Sequence, residues 1–269
     1  MKTPVLPGDG MGPAAYDAAP AARLLAQAWR SGRQLHEIPA EMRPGTIAEG
    51  YDLQDAFVAE LGEATAGYKL GVGSPAGMRL TGLGRPVVGR VLASRRYDNG
   101  ATVPLPHRHP ATVEFEIAFV LGRDIAPAES LADPMAAVSE VRTTFELVIS
   151  RFVKRRAVGW PSFAGDIGGF GALVVGDAFE RSRMAAVAAS VAITVDGKEV
   201  ARALTGDEVT DPVSSFAHLV AHAKSRGIAL RRGQIASLGA VGKPFDVTGN
   251  VEVVARYLDT ELRFRTVAP

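Results

Sequence analysis

Residues 112–122 read TVEFEIAFVLG. Val113, Phe115, Ile117, Phe119 and Leu121 alternate with Glu114, Glu116, Ala118 and Val120. β-Branched and aromatic residues dominate, and Gly122 and Asp124 follow as turn formers, so the stretch predicts a strand. Both faces are mostly apolar, which is the pattern of a strand buried on both sides. Side chains alternate along a strand, so Glu114 and Glu116 project from the same face. Two neighbouring carboxylates in an apolar setting repel, and each costs several kcal/mol to desolvate. A hard divalent cation is the simplest compensation, since Mg²⁺, Mn²⁺ and Ca²⁺ favour carboxylate oxygens.

A third acid sits in a similar setting downstream. Phe145-Glu146-Leu147-Val148-Ile149 again reads as a strand with one carboxylate among apolar residues. Glu146 would complete a three-carboxylate site with coordination positions left for water or substrate. A second reading pairs the three acids with Arg142, Arg151 or Lys69 as ordinary ion pairs. The apolar flanks on both faces favour the metal.

The composition narrows the class. A chain of 269 residues is enough for one large domain or two small ones. A hydrophobic content of 47% excludes a disordered chain. The net charge of +1, with the two signs interspersed, leaves no electrostatic footprint for nucleic acid or an anionic membrane. The chain has no cysteine, hence no disulfide, thiolate ligand or cysteine nucleophile. No apolar run approaches the ~20 residues of a membrane span. Asp17, Pro20 and Arg23 interrupt the first thirty or so residues where a signal peptide would be continuously apolar. A cytoplasmic protein is expected.

Working outward from the strand, residues 1–66 predict a helical region and 67–269 a mixed-β catalytic domain. Gly8-Asp9-Gly10-Met11-Gly12 has the look of a dinucleotide fingerprint, but no strand precedes it, and it reads as a frayed terminus. One helix is expected over 18–31, with Pro20 in its first turn and Gly32 at its end. A second starts at Thr46, which forms the capping box T-x-x-E with Glu49, and runs to about Leu61. Tyr68–Gly73 predicts a short strand opening into a Gly-rich loop, with Lys69 unusually placed between apolar neighbours. Further strands are expected over 86–92, 101–105, 168–175, 190–195, 234–238, 250–257 and 261–267, and helices over 133–142 and 212–226. Strands outnumber helices after residue 68 without regular alternation, so the class is α+β.

Gly67-Tyr68-Lys69-Leu70-Gly71, the run Val113–Asp124, Phe145-Glu146-Leu147 through Ser150-Arg151, and the closing segments 239–244 and 249–265 together resemble one family. It is the 2-keto-4-pentenoate hydratase and 4-oxalocrotonate decarboxylase branch of the fumarylacetoacetate hydrolase superfamily. The resemblance implies a mixed β-roll or sandwich core, with Mg²⁺ or Mn²⁺ held by Glu114, Glu116 and Glu146. It implies a small 2-oxo acid as substrate and a lyase that uses Lys69 and Asp166 in catalysis. Leu70, Ser150 and Arg151 are expected on the substrate, and a homo-oligomer is expected. A metal with open positions suits a bidentate 2-oxo acid and stabilises an enolate. A semi-buried Lys69 can hold the substrate's charge.

Several positions depart from that pattern. Val87 and Gly84 stand where the hydratases carry acids, and decarboxylases of the branch often have an aliphatic residue at the position of Val87. Ile149-Ser150-Arg151 replaces an Asp-Ser-Arg, and Asp166-Ile167-Gly168-Gly169-Phe170 replaces a run with an amide and two hydroxyls. Gly242 replaces a late threonine. Four readings therefore stand: hydratase, decarboxylase, acylpyruvate C–C hydrolase with His107 or His109 as base, and an inactive relative. Arg151 has two roles open, a receptor for a distal carboxylate or an ordinary ion pair. His107 and His109 read as loop histidines, and His218 and His222 as a helix-surface pair. No G-x-S-x-G, P-loop or Ser/His/Asp pattern occurs.

Overall fold

The computed structural model describes residues 15–269; the Gly8–Gly12 motif lies outside them. Two helices open the described chain, α1 (Ala19–Ser31) and α2 (Ile47–Leu61). The capping box forms: Glu49 N donates to Thr46 Oγ1 at 3.2 Å, and Thr46 N donates to Glu49 Oε2 at 3.0 Å. Then come β1 (Thr65–Gly71), α3 (Pro75–Thr81), β2 (Val87–Leu92), β3 (Arg96–Asp98), β4 (Thr102–Pro104) and β5 (Ala111–Leu121). The middle holds β6 (Val138–Val148), α4 (Trp160–Gly165), β7 (Phe170–Phe179) and α5 (Met184–Ser190). The chain closes with β8 (Ala192–Val195), β9 (Lys198–Arg202), α6 (Pro212–Ser225), β10 (Ile235–Ala240), β11 (Phe245–Val247), β12 (Glu252–Tyr257) and β13 (Thr260–Val267).

These strands build two sheets. The larger has the order β2-β1-β10-β5-β6-β7-β3, with β11 also pairing on β5. The smaller has the order β4-β13-β12-β8-β9. The expected α+β class with a mixed-β core is what forms. The stretch 112–122 lies at the centre of the larger sheet, antiparallel to both β10 and β6.

Its alternation sorts the core into two halves. Val113, Phe115, Ile117, Phe119 and Leu121 face the smaller sheet and α6, where Phe115 meets Phe145 and Tyr257 at ring distances of 5.5 and 5.3 Å. Ala118 faces the other way, into a cluster with Leu25, Leu53 and Phe57 of the two N-terminal helices. Glu114 and Glu116 share that second face with Ala118, because strand residues two apart point alike. The acids are thus on the helix-covered side of the sheet.

The helix expected over 133–142 does not form. Residues Pro134–Ala137 make one 3-10 turn, and β6 begins at Val138. Val138 and Val141 are β-branched, and extending β6 backwards gives β5 a pairing partner along its whole length, so sheet pairing overrides the alanine-rich local preference. Three short helices, α3, α4 and α5, were not anticipated; each is too brief for a period to show. His222 is not a free surface residue, since its ring packs 4.5 Å from that of Tyr51 and burial pushes its pKa down to about 4. Among the described residues no helix is long and apolar enough to cross a membrane.

Candidate active site

Sheet register brings the acids together. Glu114 pairs directly with Glu146 across β5 and β6, and Glu116 pairs with Thr144. One carboxylate oxygen from each of Glu114, Glu116 and Glu146 lies within 4.8 Å of the others. Like charges directly opposite in a sheet are destabilising, so this register needs a compensating cation. Lys69 supplies part of it: its Nζ lies 2.9 Å from Glu146 Oε1, with both side chains almost wholly buried.

That ion pair leaves the acids short of donors. Beyond that ion pair, neither carboxylate oxygen of Glu146 has a hydrogen-bond donor. Glu116 Oε1 also lacks one, while its Oε2 accepts from the Ser237 hydroxyl. Ser237 in turn shares a 2.6 Å hydrogen bond with Thr144. Burial, then the charges of Glu146 and Glu114, push the Glu116 carboxyl well above the usual carboxylate range. Burial pushes Glu146 up to about 7, against the pull of Lys69. Two oxygens on one hard cation lie at most about 4–5 Å apart, so the three donors fit Mg²⁺, Mn²⁺ or Ca²⁺.

A cavity of about 190 Å³ opens on this cluster. Lys69 and Glu114 reach it, with Glu116 and Glu146 fully buried behind them. Val72, Val148, Trp160 and Phe163 give it apolar walls, and Arg155 and Arg156 add positive charge. Glycines clear the space around the lysine. A Cβ on Gly168, whose φ is +58°, would stand 3.3 Å from Lys69 Nζ and 3.6 Å from Val87 Cγ1.

The remaining expected residues lie elsewhere. Asp166, Ser150 and Arg151 form a separate buried cluster. Ser150 Oγ donates to Asp166 Oδ2 at 2.7 Å, and Arg151 Nε pairs with Asp166 Oδ1. Burial pushes the Asp166 carboxyl up, and Arg151 pulls it back. Arg151 Nη1 also donates to the carbonyls of Ile149 and Phe170 at 2.8 and 2.6 Å, and the guanidinium stacks 5.1 Å from the Trp29 ring. Arg151 is therefore an internal strut, and the distal-carboxylate role does not fit it. Ser150 and Arg151 instead border a small void of about 20 Å³ with Trp29, Gln34, Arg95 and His107, room for about one water. Leu70 is buried, and alternation turns its side chain away from Lys69, so only its backbone can face a ligand. His107 is half-buried beside His109, and neither borders the cavity on the acid cluster. Of the eight expected residues, the structure gathers Lys69, Glu114, Glu116 and Glu146.

Sequence reasoning missed Arg155, Arg156, Trp160 and Phe163. Lys154-Arg155-Arg156 reads as a solvated basic run, and only the loop that ends in α4 folds two of its members back onto the cavity.

The fumarylacetoacetate (FAA) hydrolase C-terminal family matches residues 85–260. A 2-keto-4-pentenoate hydratase of Paraburkholderia phymatum is 30% identical over 183 residues, covering 67% of this chain and 70% of the relative. A 4-oxalocrotonate decarboxylase of a Pseudomonas species is 24% identical over 198 residues, covering 72% and 77%. Among solved structures, the 4-oxalocrotonate decarboxylase from Pseudomonas putida G7, complexed with magnesium and adipate, has a TM-score of 0.82 at 20% identity and covers 93% of this chain and 97% of its own. That likeness shows the fold. The carboxylate-bearing strand thus lies inside a matched core, and the chain belongs to the fumarylacetoacetate hydrolase family, in its branch of 2-keto-4-pentenoate hydratases and 4-oxalocrotonate decarboxylases.

Proposed function

We propose that this chain is a divalent-metal-dependent lyase acting on a small 2-oxo or 2-hydroxydienoic acid, in the manner of a 2-keto-4-pentenoate hydratase. The observation that carries the reading is the donor-starved acid cluster: three converging carboxylates, three of their oxygens buried without a donor, beside a buried lysine that borders a cavity. Glu114, Glu116 and Glu146 would hold Mg²⁺ or Mn²⁺. When bound, the cation supplies Lewis-acid polarisation of the substrate's 2-oxygen.

The chain's own groups do the rest. Lys69 holds negative charge on the substrate oxygen, with Gly168 leaving the approach to its ammonium open. Trp160, Phe163, Val72 and Val148 bind the carbon chain and exclude water. Asp166 acts as a positioning residue: it fixes Arg151 and precedes the Ile167–Gly169 turn that flanks Lys69. In hydration, the dienol is ketonised and water then adds across the conjugated double bond. Assembly as a homo-oligomer in the cytoplasm completes the reading.

One observation favours the decarboxylase version. Val87 is buried and places a methyl group beside the same spot as Lys69, at the position where the resemblance gives the hydratases an acid. In that version the electron pair of the breaking C–C bond enters the 2-oxo group as CO₂ leaves, and a proton takes its place.

A panel of 2-hydroxydienoates and acylpyruvates with Mg²⁺ or Mn²⁺ tests this. Dienol absorbance should disappear, and CO₂ and product analysis separates hydration, decarboxylation and hydrolysis. Chelator should abolish turnover, and either cation should restore it. Full activity in excess chelator would remove the metal from the mechanism.

A further inference from the structure

We propose that Ser237, braced by Thr144, is a positioning residue that fixes Glu116 as a one-oxygen ligand and so biases the acid site towards Mg²⁺ and against Ca²⁺. The inference rests on the reading of Glu114, Glu116 and Glu146 as a divalent-cation site, and it adds what chooses the cation.

The residues involved lie on the neighbouring strands β10, β5 and β6. Glu116 on β5 pairs with Thr144 on β6, and Ser237 on β10 pairs with Ala118 on β5. Cross-strand partners share a face, as do residues two apart on one strand, so Ser237, Glu116 and Thr144 stand on the same side of the sheet. All three are fully buried. Ala118 carries only a methyl group, which leaves room for the hydroxyls of Ser237 and Thr144 to meet at 2.6 Å across β5.

The hydroxyl chain has one direction. A carboxylate that holds a cation is ionised and only accepts hydrogen bonds, so the Ser237 hydroxyl donates to Glu116 Oε2 and the Thr144 hydroxyl donates to Ser237 Oγ. Each hydroxyl has a single proton, and both protons are used. Glu116 Oε1, buried without a donor, is the oxygen left for the cation. Mg²⁺ demands near-octahedral geometry, whereas Ca²⁺ takes roughly six to eight oxygens and accepts carboxylates through both. To offer both oxygens, Glu116 would have to turn away from Ser237 and leave a buried hydroxyl without its acceptor, which is unfavourable. The pair of hydroxyls therefore works against the coordination that suits Ca²⁺ and leaves intact the one that suits Mg²⁺.

The test is calorimetric titration of chelator-treated protein with Mg²⁺ and with Ca²⁺, read as the ratio of the two dissociation constants. In Ser237→Ala, Mg²⁺ should bind about 10–100-fold more weakly, the usual effect of losing a group that orients a metal ligand. Ca²⁺ should lose much less, because a released Glu116 can offer it both oxygens, so the ratio moves towards Ca²⁺. Thr144→Val removes the hydroxyl at constant shape and should move the ratio the same way. Thr144→Ser keeps the hydroxyl, loses a methyl group, and should keep the wild-type ratio. If Thr144 mattered only for packing, the order of those two variants would be reversed. Ser237→Ala/Thr144→Val should show the ratio of Ser237→Ala alone, since Thr144 acts through Ser237; a further shift would overturn that route. Thermal melts in chelator check that each variant folds, and the two Thr144 variants carry the test if Ser237→Ala does not. Wild type that binds Mg²⁺, with variants that keep its ratio or weaken both cations equally, overturns the positioning role and leaves the cation site standing. If wild type binds neither cation, the site itself falls, and the positioning role with it.

Discussion

Glu116 is fully buried, with the Ser237 hydroxyl on one oxygen and no donor on the other. Its nearest charged neighbours include two further carboxylates, and its pKa lies well above the ordinary value in the metal-free protein. A folded-state pKa raised above the unfolded one means that the folded state binds more protons. The associated stability is then fully present below the unfolded carboxylate range and is lost as pH rises. Glu146, pushed from 4.5 up to about 7, acts in the same direction across that window. In chelator, the wild type should therefore melt at a lower temperature at pH 8 than at pH 5. Glu116→Gln should be no less stable than wild type in chelator at pH 8, should show a flatter pH dependence, and should gain less from added Mg²⁺ or Mn²⁺. Were Glu116 instead the partner of a buried cation, the substitution would cost about 3–5 kcal/mol with or without metal, and melts showing that loss would return the cluster to a structural ion-pair network. The four gathered residues were legible in the sequence because a charged residue inside an apolar strand is anomalous on its own. Arg155, Arg156 and the Asp166–Arg151 pair were not, because a basic loop or a turn aspartate is ordinary until tertiary structure supplies its neighbour.

At the scale of elements, the strands with strong alternation were legible, and those that depend on a partner were not. β5 declares itself through eleven residues of β-forming sequence. The first half of β6 does not: Pro134, Ala136 and Ala137 favour a helix locally, and only pairing with β5 draws residues from Val138 onward into the sheet. Glycines mark where elements approach too closely for a side chain. Gly67 begins the register of β1 against β10, and a Cβ there would lie 1.9 Å from the Ile235 carbonyl oxygen. Gly62 caps α2 at φ +69°, with nothing within 4 Å of its Cβ position. Gly67→Ala should therefore destabilise by more than about 4 kcal/mol or prevent folding, by prising apart the strands that carry Lys69 and Ser237. Gly62→Ala should cost only the left-handed backbone strain, about 1–2 kcal/mol. Denaturant melts of the pair measure both, and equal costs would mean that the β1–β10 approach is looser than the register implies.

For the whole molecule, the division into residues 1–66 and 67–269 describes composition, while the packing joins the two. Leu25, Leu53 and Phe57 from α1 and α2 share one cluster with Val91, Phe170 and Leu173 of the sheet. Gln54, buried on α2, donates to the carbonyls of Val88 and Ala164 at 3.0 and 2.7 Å, tying the helix to β2 and α4. The helices pack on the same sheet face at Ala118, and Gln54 of α2 holds α4, whose Trp160 and Phe163 wall the cavity beside the acids. Folding of the N-terminal region and assembly of the site should then be one event. The protein should unfold in a single calorimetric transition. Phe57→Ala, at a fully buried position, should move that whole transition by about 3–5 kcal/mol, on the order of 10 °C for a chain of this size. The same variant should weaken Mg²⁺-dependent stabilisation, because α2 holds α4, and α4 walls the cavity on which the carboxylates open. Two transitions, with only the first shifted and the metal effect intact in the second, would show instead that residues 67–269 fold and bind the cation unaided.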